Sequence, residues 1–71
     1  MEHVIIMYPK SRTVLIDGEE TGMTNTILRV EEGTHTFRLD GPKDYKPSFR
    51  RVKVHDTSPI NPREIAFVKK S

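Results

Sequence analysis

Three histidines, His3, His35 and His55, are the residues best suited to metal or proton chemistry in this 71-residue chain. They stand far apart, with no short His-to-His spacing and no cysteine to complete a ligand set. Zinc centres draw on clustered Cys and His. No metal site is therefore expected, and His35 is read as a partly buried core residue. The serines Ser11, Ser48, Ser58 and Ser71 fall in connectors or at the chain end, outside any nucleophile elbow. Glu19-Glu20 and Glu31-Glu32 are neighbouring acids at turns, where solvated carboxylates are ordinary. A general acid needs burial or a like-charged neighbour in a cleft to raise its pKa. The expectation is a protein that is not an enzyme and holds no cofactor.

Charge is distributed unevenly. Asp17, Glu19, Glu20, Glu31 and Glu32 face one base, Arg29, over residues 17–32, a net of −4 from five acids and one base. Over residues 43–53, Lys43, Lys46, Arg50, Arg51 and Lys53 face only Asp44, a net of +4. The plain reading is a solvated surface whose charges discourage strand edges from pairing. The functional reading is a dipolar module that docks to an oppositely charged protein or envelope component, or weakly to its own copies. Its candidate partner-binding residues are Lys43, Tyr45, Lys46, Arg50, Arg51 and Lys53. The alternative is nucleic-acid binding through the same 43–53 arm, with Tyr45 and Phe49 as stacking groups. A net charge of +2 gives that alternative little support. Carbohydrate binding through exposed Tyr8, Tyr45 or Phe49 is a third reading, disfavoured by the absence of Trp.

The elements that must carry these residues read as strands. Val14 and Ile16, Leu28 and Val30, then His35, Phe37 and Leu39 alternate between Gly18, Gly22 and Gly33, the pattern of half-buried strands joined by short turns. Asp17-Gly18 is a favoured two-residue hairpin turn. His3–Tyr8 reads as a first strand ended by Pro9. Glu19–Thr21 reads as a short return broken by Gly22, and 23–26 as a connector. Tyr45–Val54 reads as one long edge strand with a bulge near Ser48–Arg50 to reconcile Phe49 with Val52 and Val54. Residues 56–62 form a loop, and Arg63–Lys69 close the domain. No segment carries a helical period.

Seventy-one residues, of which 34% are hydrophobic, supply one thin core between two layers. The expectation is a single domain over 1–71: an all-β, two-layer antiparallel sandwich of six or seven strands. Its core is Val4, Ile6, Val14, Ile16, Leu28, Val30, Phe37, Leu39, Val52, Val54, Ile65 and Phe67. The longest apolar run, Val4–Met7, is far short of the roughly 20 residues of a membrane helix. It is also too short for a signal-peptide core, so no membrane insertion is expected.

The spacing resembles the PEGA domain, a small bacterial and archaeal β-sandwich module. The matching positions are Pro9, Val14, Asp17-Gly18, Gly22, Thr24, Leu28, Val30, Gly33, His35, Phe37, Leu39, Tyr45, Pro47, Val52 and Val54. The name-giving tetrapeptide departs from the pattern, reading Pro9-Lys10-Ser11-Arg12, as do two later positions. Arg12 stands where the family has a small Ala, Asn25 where it has Pro, and Asp44 where it has the Gly before Tyr45. Arg12 is accordingly expected to open that edge of the sandwich to water. The resemblance implies a prealbumin-like sandwich without a common active site, serving as an accessory module in envelope or secreted proteins. The absence of cysteine suits a reducing compartment as well as an envelope that forms no disulfide here.

Overall fold

In the computed structural model, which describes residues 1–70, the alternation seen in the sequence becomes strand alternation. The strands are β1 (Glu2–Met7), β2 (Thr13–Ile16), β3 (Glu19–Met23), β4 (Ile27–Val30), β5 (Gly33–Leu39), β6 (Tyr45–Lys46), β7 (Arg50–Val54), β8 (Arg63–Ala66) and β9 (Val68–Lys69). Seven of them form two sheets, ordered β4-β1-β8 and β3-β2-β5-β7, and the two-residue β6 and β9 pair as a ribbon. The all-β sandwich is as expected, with one parallel contact, β1 to β8, among antiparallel ones.

All twelve expected core residues are buried, in a cluster to which both sheets contribute. Phe37, Val4, Ile6, Val14, Val54 and Ile65 are fully enclosed. Two members lie outside the expected core: Tyr8 and Tyr45, each about 5% exposed or less.

The turns supply what the strands cannot. Asp17 and Gly18 both have positive φ, 53° and 85°, as a type I′ hairpin turn requires. Asp17 also reaches across to β5, its Oδ1 accepting the Thr36 N–H at 2.9 Å. The loop after β7 is fastened to β1 by Glu2, whose Oε1 accepts both the N–H and the hydroxyl of Thr57.

Two strand expectations need correction. β3 does not stop at Thr21; it continues through Gly22 to Met23, with an irregularity opposite Val14 and Leu15. There is no side chain on Gly22, and a Cβ there would run into Leu28, so the glycine lets the strand pass rather than ending it. Nor is Tyr45–Val54 one bulged strand. Pro47 has no N–H to give to a ladder, and the chain divides around it. β6 goes to the ribbon and β7 to the edge of the larger sheet.

Candidate binding surface: a basic sheet edge

β7 is the outermost strand beyond β5, with the register Gly33–Val54, Thr34–Lys53, His35–Val52, Thr36–Arg51 and Phe37–Arg50. The direction of its backbone groups follows from its neighbours. Asp17 N–H donates to Thr36 O at 2.8 Å, so Thr36 turns its peptide groups toward β2. In antiparallel alternation His35 and Phe37 then turn theirs toward β7, where they meet Val52 and Arg50. Among the described residues, Arg51 and Lys53 are left with both their peptide groups and their charged side chains free. Both residues are exposed, while Val52 between them and Val54 beyond them point into the core.

The other candidate residues divide. Arg50 is half-buried and donates from Nη1 to Ala66 O at 3.2 Å, which ties β7 to the opposite sheet. Lys43 and Lys46 are exposed, but Lys46 lies on the ribbon, opposite Val68, and Tyr45 lies opposite Lys69. The ribbon therefore adds Lys69 to the basic surface, and Lys70 follows it with its N–H on Asp44 O at 2.8 Å. Two-residue strands are too short to leave a periodic signal, so the sequence gives no sign of this addition. Phe49, 53% exposed, is the aromatic left at the surface beside the arm.

Tyr45 is not a surface group. Its hydroxyl donates to Leu39 O at 2.8 Å and accepts the Leu39 N–H at 3.3 Å. Leu39 is the position on β5 beyond the reach of β7, so the tyrosine completes a rung that the shortened strand leaves empty. Its ring packs edge-on against Tyr8 and Phe67. The roles given to Tyr45 and Tyr8 as exposed stacking or carbohydrate-binding groups are thereby overturned.

Arg12 is likewise not open to water. Its side chain is 15% exposed, and the guanidinium carbon lies 5.8 Å from the Tyr8 ring centroid and 5.7 Å from that of Tyr45. Nε and Nη2 donate to Asp40 O, Nη2 also to Pro42 O, and Nη1 to Asp44 Oδ1 at 2.8 Å. A planar fork of donors meets converging acceptors, and it holds the Asp44 carboxyl below the usual carboxylate range.

At the acidic end, His35 Nδ1 lies 2.6 Å from Asp17 Oδ2 and Nε2 lies 2.7 Å from Glu31 O. Both partners are acceptors, so only the imidazolium satisfies both. The Asp17 hydrogen bond is the largest influence and raises the His35 pKa; burial opposes it, and the bond to Glu31 O adds a smaller push upward. The two acidic turns, separate in sequence, are joined through this ring. Among the described residues no pocket opens and no three metal-ligating side chains gather.

The PEGA domain family model matches residues 4–63. The chain belongs to the PEGA domain family. PEGA domains are generally non-catalytic and are usually extracellular or periplasmic. Searches of curated proteins and of solved structures found no significant match. Family-pattern positions that look like surface motifs prove to be fastenings. The Thr24 hydroxyl accepts the Arg12 N–H and donates to Lys10 O, and Tyr45 closes the rung at Leu39. Three of the departures have partners. Arg12 and Asp44 bind each other, and Asn25 clamps Tyr8, its amide donating to Tyr8 O at 2.8 Å and its Oδ1 accepting the Tyr8 N–H at 3.2 Å. Asn25 N–H also donates to Ile6 O at 2.7 Å, a bond that Pro could not make.

Proposed function

We propose that this PEGA domain is a non-catalytic binding module that docks an acidic protein segment or envelope polymer along its basic edge. The observation that carries the reading is the open side of β7, where Arg51 and Lys53 offer unpaired peptide groups and positive charge together. An extended acidic segment would gain ladder hydrogen bonds and charge pairing at once. Lys43, Lys46 and Lys69 on the adjoining turn and ribbon extend the positive surface. Nucleic acid is the weaker reading, because Tyr45, one of its two stacking groups, is buried.

The test is an NMR titration of the isotope-labelled domain with a glutamate-rich peptide, a lysine-rich control and a single-stranded oligonucleotide. Amide shifts should concentrate at Arg51 and Lys53 with the acidic peptide and vanish in an Arg51→Glu/Lys53→Glu variant that keeps the parent's dispersion. Shifts spread elsewhere, or unchanged in the variant, would refute the assignment. Tighter binding to the oligonucleotide, with a steep loss in salt, would instead favour nucleic acid.

A further inference from the structure

The larger sheet has two open edges of opposite charge. β3, EETGM, is exposed along nearly its whole length and carries Glu19 and Glu20. β7, RRVKV, carries exposed Arg51 and Lys53 and is also five residues long. Among the described residues no strand pairs with the outer side of either. We infer that this sheet continues between molecules: β3 of one copy adds antiparallel to β7 of the next. The inference rests on β7 being the binding edge and names its occupant as a second copy of this chain.

Strand polarity supports the join. Each neighbouring pair in β3-β2-β5-β7 is antiparallel, so β3 and β7, at the ends of a four-strand row, run in opposite directions. A second copy placed beside the first with its sheet facing the same way thus brings its β3 antiparallel to the first copy's β7. No strand need reverse. Charge then selects this contact over the others. β7 against β7 opposes bases to bases, and β3 against β3 opposes Glu to Glu, each unfavourable across a ladder. Only the unlike pair relieves both edges.

Such a contact is heterologous, so it propagates instead of stopping at a dimer. The right-handed twist of sheets, about 20–25° per strand, turns each copy by roughly 80–100° relative to the last. The product is a short helical row. Charged edges ordinarily protect a sheet from this; here the protection fails for one combination only. Met23, 41% exposed on β3, adds an apolar contact to the join.

Sedimentation velocity at rising protein concentration tests the inference, at low salt and at about 1 M salt, where the screening length is about 3 Å. The wild-type domain should self-associate in low salt and lose that behaviour in high salt. Glu19→Lys/Glu20→Lys and Arg51→Glu/Lys53→Glu should each weaken self-association about tenfold or more, and mixing the two variants should restore it. To separate ladder pairing from charge attraction, Lys53→Pro is compared with Lys53→Gln. Both lose the same charge, but only proline removes the outward N–H. Proline should be the more damaging.

A wild-type domain that stays monomeric in low salt would overturn the inference, as would a mixture that fails to associate. Equal effects of Lys53→Pro and Lys53→Gln would overturn the ladder. If the acidic peptide still shifts Arg51 and Lys53 while the domain stays monomeric, the binding edge stands and only its occupant is wrong. Loss of both removes the binding edge as well.

Discussion

Replacing Arg12 by the alanine usual in the family should destabilise this domain, although the residue lies in a connector. The guanidinium contributes on two counts. Its position over two tyrosine rings is worth about 0.5–1 kcal/mol per ring at partly exposed sites. Hydrogen bonds to a charged group contribute about 1.5–3 kcal/mol, of which the ordering of a long side chain takes back up to about 2 kcal/mol. The balance is a loss of about 2 kcal/mol in Arg12→Ala. A 71-residue domain has about 4–11 kcal/mol in total. At about 4–8 °C per kcal/mol, the melting temperature should fall by roughly 8–16 °C. Urea unfolding followed by tyrosine fluorescence, checked by calorimetry, measures it. Arg12→Lys should recover little, because an ammonium cannot reach Asp40 O, Pro42 O and Asp44 together. Asp44→Asn should cost less than Arg12→Ala, since the carboxylate is 44% exposed and the bonds to the two carbonyls survive. An Arg12→Ala variant that melts with the parent, or one fully matched by Arg12→Lys, would refute the account of Arg12 as a covered, multiply bonded plug.

The two buried tyrosines should respond differently to loss of their hydroxyls in the same unfolding assay. Tyr45→Phe strands the buried peptide groups of Leu39 and should cost about 1–3 kcal/mol, whereas Tyr8 OH has no hydrogen-bond partner among the described residues and Tyr8→Phe should be neutral or stabilising. Gly33, at φ +132°, should tolerate Val worse than exposed Thr34 does, by about 1–3 kcal/mol; equal melting temperatures would disprove the backbone requirement. Stability should also depend on pH in two limbs, followed by urea midpoints across the range. The raised pKa of His35 contributes stability that is complete below its ordinary value of 6.5 and lost as pH rises through the folded value. The lowered pKa of Asp17, due first to the Thr36 N–H and then to His35, contributes stability present above its ordinary 3.8 and lost as pH falls through the folded value. His35→Gln should flatten the upper limb and leave much of the lower one.

Strand identity was legible because burial on one face writes a period of two into the sequence. Val14 and Ile16, Phe37 and Leu39, Val52 and Val54 all carried it, and all point inward. Tyr8 falls in step with Val4 and Ile6, but apolar Ile5 and Met7 hide the alternation there, and Tyr45 sits at a strand end beside turn residues, where alternation has no run in which to show. Arg12 was misread for a related reason. Its long side chain covers the tyrosines only once 40–44 has folded back onto the connector, and sequence distance hides that acceptor cluster. The basic arm was visible as composition, but the division at Pro47 was not. Nothing local says that Lys46 belongs with Lys69 while Arg51 and Lys53 belong to the sheet edge.

The central place of β1 has a consequence for how the molecule assembles. β1 lies between β4 and β8, pairing with Arg63–Ala66 in parallel, Val4 opposite Arg63 and Met7 opposite Ala66. Within this domain β1 can join β4 as soon as both are made, yet its second neighbour, β8, comes next to last in the strand order. Until then its inner residues Val4 and Ile6 lack the Ile65 side of their enclosure. Contacts of such long sequence separation slow folding toward the range of milliseconds to seconds, and they delay it until β8 has been made. A chain interrupted before Ile65 would leave an apolar strand with one free edge, a substrate for chaperones rather than a smaller working domain.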